Sequence, residues 1–358
     1  MSKKIKALAV VLPQFHPIPE NDKWWGKGFT EWTNVVKAKP RFKGHYQPHL
    51  PADLGFYDLR LAQSRAEQAQ LALDHGIHGL CYHHYWFNGK QLIEYPVNEL
   101  LRLKEPNVPF MLCWANENWT RRWDGLDQEV LIEQNYNADD HRNHAKWLCE
   151  NVFSDSRYIK VNGKPFFLFF NSDIIPNIEK TITIWREEVK KHGFPDIYLG
   201  GVRTAEGKIE NASKIGFDVM IEWQPDWKNL FEPPTLFDRI LTKIGLGKNR
   251  REMDYSYVVD KMLAKKKPTD KHYQCIMPSW DNSARRKNNP FIINNSTPEK
   301  YKYWLEKICE KSENYSDEEN FVFINAMNEW AEGNHLEPDQ KWGTQYLEKT
   351  KEVLSKYL

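Results

Sequence analysis

The stretch "FVFINAMNEWAEGNHLEP" (321–338) passes from an apolar run directly into two glutamates, Glu329 and Glu332, with Trp330 between them. Two carboxylates and an indole are poor core material, but they suit a site that exchanges protons with a flat, hydroxylated molecule. The run before them has the length of a buried strand. Seven similar runs precede it: "KALAVVLPQF" (6–15), "GLCYHHYWF" (79–87), "PFMLCWANE" (109–117), "PFFLFFN" (165–171), "IYLGGVR" (197–203), "FDVMIEW" (217–223) and "QCIMPSWDN" (274–282).

These runs are apolar at nearly every position, which is typical of parallel strands covered on both faces. Amphipathic helical patterns separate them, among them residues 58–75, with Asp58 as a candidate cap, and residues 296–311, with Thr297 as cap. Eight strands with intervening helices predict an α/β fold, a single (β/α)8 TIM barrel domain over residues 1–358 with long βα loops. A doubly wound open sheet is the alternative, but no glycine-rich nucleotide loop follows the first strand.

Two connections are long, residues 16–57 and about 228–272, and long loops in compact domains are usually functional. The second is a basic insertion that carries Lys243, Lys248, Arg250, Arg251 and Lys265–Lys267. A solvated surface explains such an insertion. The alternative is contact with an anionic polymer or, peripherally, with a membrane surface.

The chain carries almost no net charge. Lys and Arg number 50 and Asp and Glu 49, so the net charge of +1 predicts no nucleic-acid partner. The five cysteines, at 81, 113, 149, 275 and 309, have neither paired nor zinc-type spacing, which indicates reduced thiols. The N-terminal apolar run is too short for a signal peptide, and no stretch approaches the ~20 apolar residues of a membrane span. We therefore expect a cytoplasmic location.

Polar or aromatic residues end every predicted strand, and in a barrel these ends meet at one rim. They are Gln14, His16, His83, His84, Trp86, Trp114, Asn116, Glu117, Trp119, Asn171, Arg203, Glu222, Trp223, Trp280, Asp281, Glu329 and Glu332. A metal site at His83-His84 is disfavoured, because successive strand residues point to opposite faces and no further ligand completes it. We therefore expect a polar pocket walled by indoles, with no metal and no cofactor.

The paired carboxylates carry the chemical prediction. A glycosidic bond breaks when one acid protonates the leaving oxygen and a second carboxylate assists at the sugar carbon or its neighbour. Two close carboxylates also raise one pKa, which keeps a proton for general-acid work. The alternative is structural: Glu332 caps the turn that follows, and Glu329 pairs with Arg203 or another base.

Four segments resemble a known family: "GFTEWTNV" (28–35), "YHHYWFNGK" (82–90), "WANENWTRRWDG" (114–125) and "NEWAEGNHLEP" (328–338). They resemble the WbsX-like proteins, often labelled glycosyltransferases, within the glycoside hydrolase family 99-like group. The resemblance covers about residues 5–350. That group is similar to the endo-α-mannosidases and endo-α-mannanases, retaining (β/α)8 enzymes without a metal requirement that carry an E-W-x-E-G motif after strand eight.

The resemblance implies roles for this chain's residues. Glu329 would act as base on the sugar 2-hydroxyl, giving a 1,2-anhydro intermediate, and Glu332 as general acid, then base. The implied sugar-stacking residues are Trp25, Trp32, Trp86, Trp119 and Trp280. The implied hydroxyl-binding residues are Glu31, His84, Asn116, Glu117, Glu222 and Asp281. Asn334 and His335 depart from the mannosidase pattern, which bears on the identity of the substrate.

The leading hypothesis is a retaining glycoside hydrolase, or a transglycosylase, acting on α-mannoside-like linkages of a microbial surface polysaccharide or its precursor. The first alternative is a glycosyltransferase in the biosynthesis of O-antigen (lipopolysaccharide) or capsular polysaccharide. Against it, no D-x-D-type metal motif or nucleotide-binding loop is apparent. The second alternative is a non-catalytic glycan-binding protein, which would not need both glutamates.

Overall fold

Parallel strands close into a barrel in the computed structural model, which describes residues 3–121, 126–203, 212–231, 251–286 and 288–357. The barrel strands are β1 (Lys6–Val11), β2 (Gly79–Phe87), β3 (Phe110–Trp114), β4 (Lys164–Phe169), β5 (Tyr198–Val202), β6 (Val219–Glu222), β7 (His272–Ile276) and β8 (Phe321–Ile324). Each pairs in parallel with its neighbours along the chain, and β8 pairs with β1. In register, Leu8 of β1 lies opposite both Gly79 of β2 and Phe323 of β8, so the sheet is closed.

Helices alternate with these strands around the barrel. They are α1 (Ala62–Asp74), α2 (Tyr95–Leu103), α3 (Ala138–Leu148), α4 (Ile178–Lys191), α5 (Ala212–Ile215), α6 (Tyr255–Ala264), α7 (Pro298–Lys311) and α8 (Gln345–Leu354). This alternation confirms the predicted (β/α)8 barrel. Within the described ranges, no helix combines the length and the apolar character that crossing a membrane requires.

Two helix starts test the capping predictions. The α7 helix begins as predicted, because the Thr297 hydroxyl accepts a hydrogen bond from the Lys300 backbone N–H at 3.3 Å. The prediction for α1 was wrong, since this helix begins at Ala62 and not at Asp58. The Asp58 carboxylate instead accepts the Arg60 backbone N–H at 2.8 Å and pairs with the Arg60 guanidinium at 2.7 Å. These bonds hold the segment in a turn ahead of the helix.

Strand side chains alternate between the barrel interior and the helices, as a period of two requires. The Phe166 ring of β4 lies inside, 6.3 Å from the Phe323 ring of β8, measured between centroids. Its neighbour Phe167 points outward, where its ring lies 4.9 Å from that of Trp185 on α4. Both faces of each strand are therefore buried in apolar contacts, which explains the continuous apolar runs in the sequence.

Short elements lie in the connections. The additional helices are Pro19–Trp25, Glu31–Val35 and Trp227–Leu230, with a π-helical turn at Cys149–Phe153 and 3-10 turns at Ser172–Ile174, Asn282–Ala284 and Trp330–Glu332. The additional strands are Lys90–Leu92, Trp119–Arg121, Leu126–Ile132, Lys160–Val161, Glu252–Asp254, Trp280–Asp281, Ile292–Asn294, Asn328–Glu329 and Asn334–His335. Many of these elements follow the carboxyl ends of barrel strands, where an active site is expected in this fold.

The predicted basic insertion at about 228–272 is described at its first four residues and from 251 to 272. Lys243, Lys248 and Arg250 lie outside the described residues. Much of the described part is α6, an ordinary helix of the barrel. Lys265 contacts the carboxylates of Glu222 and Asp226, both at 2.7 Å. The charge of this lysine is therefore compensated within the protein.

Candidate functional site

A cavity of about 680 Å³ opens at the rim where the barrel strands end. Glu329 and Glu332 both line it. The other polar lining residues are Gln14, His83, Glu117, Asn118, Thr120, Asn171, Asn282, Arg285, Arg286 and Asn325. The aromatic lining residues are Tyr85, Trp119, Phe170, Trp223, Trp227, Trp280 and Phe291. The cavity thus combines carboxylates, guanidinium groups, amides and aromatic rings, a composition suited to a ligand with both hydroxyl groups and apolar faces.

A hairpin after β8 carries the two glutamates. Its antiparallel arms are Asn328–Glu329 and Asn334–His335, and the 3-10 turn Trp330–Glu332 lies between them. The Asn328 side chain accepts the Leu12 backbone N–H at 2.7 Å and donates to the Leu12 carbonyl at 3.0 Å. The segment that carries the two glutamates is therefore attached to the chain just beyond the end of β1.

A glycine directly after Glu332 and an inward-pointing tryptophan shape the turn that carries the glutamates. Gly333 has φ of 55°, and a Cβ atom there would lie 3.2 Å from the backbone N and O of Asp281. Trp330 points away from the cavity: its indole N–H donates to Glu337 at 2.7 Å, and its ring stacks on His335 with 3.8 Å between centroids. The two glutamates thus face the cavity while the tryptophan between them anchors the turn in the core.

Arg285 connects three carboxylates at this site. Its Nε lies 2.8 Å from Glu31 Oε1, its Nη2 2.8 Å from Glu329 Oε2 and its Nη1 2.7 Å from Glu332 Oε1. The Glu31 side chain is fully buried, whereas that of Glu332 is 20% exposed toward the cavity. The sequence left open a structural role for Glu329, in which it pairs with Arg203 or another base. In the structure Glu329 does pair with a base, and that base is Arg285. One guanidinium thus faces three acids.

Burial controls the protonation of this cluster. It raises the pKa of Glu332 to about 7, a rise that Arg285 opposes and the Glu329 carboxylate increases. Burial also raises the pKa of Glu31, again against the effect of Arg285. Although burial lowers the pKa of Arg285, its three acidic neighbours raise it well above the ordinary value. The cluster therefore retains a proton near neutral pH, and Glu332 can present that proton to a ligand in the cavity.

Strand β2 places His83, and not His84, at the cavity. The Nε2 atom of His83 lies 3.9 Å from Glu329 Oε1. His84 points out of the barrel, where its Nε2 lies 2.9 Å from Nε2 of His144 on α3 and its ring stacks on Trp147. We expected His84 to bind a sugar hydroxyl, but it does not reach the cavity. The alternation of side chains along the strand places it on the outer face.

The five tryptophans expected to stack on a sugar separate into two groups. Trp119 and Trp280 line the cavity. Trp25 lies beside a different cavity of about 540 Å³. Trp32 is part of a buried aromatic cluster, and Trp86 lies on the outer face of β2, where its indole N–H donates to a carboxylate of α3 at 2.9 Å. These last three do not line the cavity that holds the glutamates. Core packing occupies the rings of Trp32 and Trp86, and Trp25 is half-buried beside the second cavity.

Further aromatic residues complete the wall around Trp280. The Trp227 ring lies 5.5 Å from that of Trp280 and stacks on Phe291 at 4.7 Å, measured between centroids. Among the described residues, the buried Trp280 indole N–H has no hydrogen-bond partner.

The carboxylate and amide predicted after strand three take different positions. Glu117 lines the cavity and accepts a hydrogen bond from the Asn171 side chain at 2.9 Å. Asn116 is fully buried and exchanges two 2.7 Å hydrogen bonds with the Asn171 backbone. Asn116 thus joins the ends of β3 and β4 without lining the cavity. Glu31 does not line the cavity either, but it contacts Arg285, which does.

The remaining two predicted hydroxyl-binding residues have internal partners. Glu222 faces outward from β6 and pairs with Arg203 at 2.5 Å. Asp281 accepts a hydrogen bond from the His45 ring at 2.7 Å, and hydrogen bonds hold its pKa below the ordinary value even though burial raises it. Neither lines the cavity that holds Glu329 and Glu332, since each carboxylate holds neighbouring segments of the protein together.

Arg285 is the main site residue that the sequence analysis missed. It belongs to "DNSARR" (281–286), which follows the seventh predicted strand at the same rim as the glutamates. A basic pair beside predicted acids was therefore a usable signal. The pairing with Glu31 spans 254 positions in the chain, which no local pattern indicates. Tyr85, Trp227 and Phe291 were missed as well.

Comparison with known proteins places these features in context. The chain is 38% identical over 350 residues to an uncharacterized protein WxcX of Xanthomonas campestris pv. campestris, a match that covers 98% of this chain and 49% of the relative. The chain thus spans about half the length of the curated relatives it matches.

Solved structures share the fold. A glycoside hydrolase-like protein superimposes with a TM-score of 0.61 at 14% identity, over 98% of this chain and 94% of the other. A GH99 endo-alpha-mannosidase from Bacteroides thetaiotaomicron gives a TM-score of 0.59 at 13% identity, over 98% and 97%. The family model described as "Glycosyltransferase WbsX" matches residues 7–350. This match confirms the resemblance of the four motifs, and the chain belongs to the WbsX glycosyltransferase family.

Proposed function

We propose that this protein is a retaining glycosidase, or a transglycosylase with the same first step, acting on α-mannoside-like linkages of a microbial surface polysaccharide or its precursor. The observation that carries the proposal is the placement of Glu329 and Glu332 on one cavity and one guanidinium, with the pKa of Glu332 raised to about 7 by burial. An acid that can hold a proton near neutral pH, with a second carboxyl group on the same cavity, is the combination that glycoside cleavage requires.

In the first step, Glu329 takes the proton from the sugar 2-hydroxyl. The 2-oxygen forms a bond to the anomeric carbon while the bond to the leaving oxygen breaks, and Glu332 gives its proton to that oxygen. The base thus acts on the neighbouring hydroxyl and has no need to reach the anomeric carbon. Two glutamates three residues apart suit this step, and attack from the face opposite the leaving group requires the trans arrangement of α-mannosides.

In the second step, the Glu332 carboxylate takes a proton from water or from an acceptor hydroxyl. That oxygen attacks the anomeric carbon, the three-membered ring opens, and Glu329 returns its proton to the 2-oxygen. Two displacements at one carbon give net retention. Arg285 supports both steps, because its charge compensates whichever glutamate is ionised.

The cavity walls support a carbohydrate ligand. Trp119, Trp280 and Trp227 provide flat apolar surfaces, and Glu117 and Asn118 provide polar atoms near them. Sugar rings combine an apolar face with a rim of hydroxyl groups, which matches walls of this kind. A volume of about 680 Å³ is sufficient for more than one sugar unit.

The first test is mass-spectrometric product analysis with α-mannans and with the surface polysaccharide of the source organism, with and without nucleotide sugars. Wild type should release fragments or transfer products without a nucleotide sugar, and Glu329→Gln and Glu332→Gln should lose at least about 10³-fold in rate. Glu67→Gln on the exposed face of α1 is the matched control and should retain activity. An aryl glycoside with a good leaving group should restore the first step in Glu332→Gln more than in Glu329→Gln.

The family description favours a second candidate, a glycosyltransferase. Chain extension that occurs only with a nucleotide sugar would establish that activity and refute the glycosidase proposal. Glycan binding by wild type and both glutamine variants with equal affinity, without product, would indicate a glycan-binding protein.

A further inference from the structure

We propose that His49, His335 and Asp339 form a binding site for a divalent metal ion of the Zn²⁺ class, outside the catalytic cavity. The metal would fasten the loop after β1 to the segment that follows the catalytic hairpin. This inference stands on its own geometry and does not depend on the proposed function.

The three side chains converge closely enough to share one ion. His49 Nδ1 lies 3.0 Å from His335 Nε2, and His335 Nε2 lies 4.0 Å from Asp339 Oδ2. One ligand atom from each residue lies within 4.8 Å of the other two, and all three residues are buried. Tetrahedral zinc, with bonds of about 2.0–2.2 Å, holds its ligand atoms roughly 3.3–3.5 Å apart. Small rotations of these side chains would therefore complete the geometry.

The surrounding hydrogen bonds already aim the ligand atoms. His335 Nδ1 lies 2.9 Å from the Glu337 carbonyl oxygen, so this nitrogen donates and the lone pair of Nε2 points toward the cluster. The Oδ1 atom of Asp339 accepts two backbone N–H groups of the following turn, at 2.6 and 3.0 Å. Its Oδ2 faces the cluster and accepts the Tyr46 hydroxyl at 3.1 Å. Outer contacts of this kind orient metal ligands in known sites.

A hydrogen bond between the two histidines is the competing explanation. Because His335 Nε2 is the acceptor, His49 would have to donate from Nδ1, and the pair would then be satisfied without a metal. That arrangement leaves the Tyr46 hydroxyl as the partner of Asp339 Oδ2 and does not account for the position of this oxygen 4.0 Å from His335 Nε2. Two imidazoles and one carboxylate are a known ligand set of zinc, with the fourth position left to water or another oxygen.

The site also has an entry route. The three residues line a cavity of about 410 Å³ that is distinct from the catalytic one, although Trp280 borders both. Lys341 lies at this cavity, with its Nζ 4.6 Å from the centroid of the Tyr46 ring. This positive charge weakens attraction for a cation but leaves the ligand set intact.

The sequence contains a matching signal. The segment "HLEPD" (335–339) places two of the proposed ligands four positions apart, and "HYQPH" (45–49) supplies the third, His49, from the other side of the proposed ion. His335 lies three residues after Glu332, so the ion would brace the hairpin that carries the catalytic glutamates. Its role would be to position that hairpin, without contact with the reacting sugar.

The test begins with the whole chain, purified without a metal-affinity step and treated with a chelator. Titration with Co²⁺, followed by the visible absorption of the bound ion, measures stoichiometry, and metal analysis after Zn²⁺ loading gives a second count. His49→Gln and Asp339→Asn remove single ligands, and His45→Gln is the matched control in the same loop. We expect wild type and His45→Gln to bind one equivalent with a rise in melting temperature, and both ligand variants to lose the binding and the rise.

Absence of stoichiometric Co²⁺ and Zn²⁺ in wild type would overturn the proposal, as would unchanged binding by both ligand variants. Should a variant fail to fold, X-ray absorption of zinc-loaded wild type decides, because it counts imidazole ligands directly. Two imidazoles support the site, and fewer than two overturn it.

Discussion

Replacing Arg285 by methionine tests how the charges of the arginine and its three glutamates are balanced. The change keeps most of the side-chain volume but removes the positive charge that contacts Glu31, Glu329 and Glu332 at 2.7–2.8 Å. Removing one partner of a buried ion pair leaves the other as an uncompensated charge, which costs about 3–5 kcal/mol of folding free energy. Since Glu31 is fully buried, we expect a loss of folding free energy in this range at about pH 8. At that pH its carboxyl group must either stay ionised without a partner or bind a proton.

The loss must depend on pH. Without Arg285, the pKa values of Glu31 and Glu332 rise further, because Arg285 is the group that lowers them. A folded carboxyl with a raised pKa binds more protons than the unfolded chain, so stability falls as pH rises from the unfolded pKa through the folded one. A tenfold change in an acid dissociation constant corresponds to about 1.4 kcal/mol. The free energy of unfolding that the variant loses should therefore be about 1–3 kcal/mol smaller at about pH 5 than at about pH 8.

Urea unfolding of wild type and Arg285→Met near both pH values, followed by circular dichroism, measures this difference. Arg285→Met combined with Glu31→Gln should recover part of the stability, because it removes the acid with no route to solvent. Arg102→Met, which breaks an exposed pair with Glu99 on α2, is the matched control and should change stability little at either pH. Equal losses for Arg285→Met at both pH values, with no recovery in the double variant, would refute this account of the cluster.

Three further outcomes are expected. In wild type, kcat/KM for glycoside cleavage should decline as pH rises through about 7, since the proton that Glu332 donates is lost there; a rate constant that does not change across neutral pH would contradict the acid role. Trp280→Ala should raise KM about ten-fold through lost stacking, whereas Trp86→Phe on the outer face should leave KM unchanged, and steady-state kinetics with a glycan substrate distinguishes the two. Gly333→Ala should destabilise the fold by about 1–3 kcal/mol, measured by urea unfolding, because of its positive φ and its contact with Asp281; an unchanged unfolding midpoint would show that the turn relaxes.

The barrel was predictable because its strands are buried on both faces. Continuous apolar runs such as "PFFLFFN" (165–171) mark strand positions directly, and the glutamates at the end of the last run lie at the active rim of the fold. For the same reason the orientation of single residues was not predictable. The run "GLCYHHYWF" (79–87) is apolar or aromatic on both faces, so nothing local distinguishes His83 from His84.

The polar contacts were harder to predict than the strands. Glu31 and Arg285 meet across 254 positions, and Asp281 meets His45 across 236, so neither pairing leaves a periodic trace. Trp32 and Trp86 are of the residue type that stacks on sugars, yet both are packed in the core. Composition alone cannot separate these two uses, because an indole buries apolar area equally well in either place.

The inward anchor of Trp330 constrains how this site can diversify. Its indole N–H donates to Glu337, which also accepts hydrogen bonds from Tyr57 at 2.8 Å and Gln68 at 2.6 Å. The turn that carries Glu329 and Glu332 is therefore tied to a buried hydrogen-bonded cluster. A substitution that shifts Glu329 and Glu332 would disturb that buried cluster at the same time. The aromatic walls instead come from separate loops, after β3, β6 and β7. Differences in ligand preference among related proteins are therefore expected in those loops, while the two glutamates stay in place.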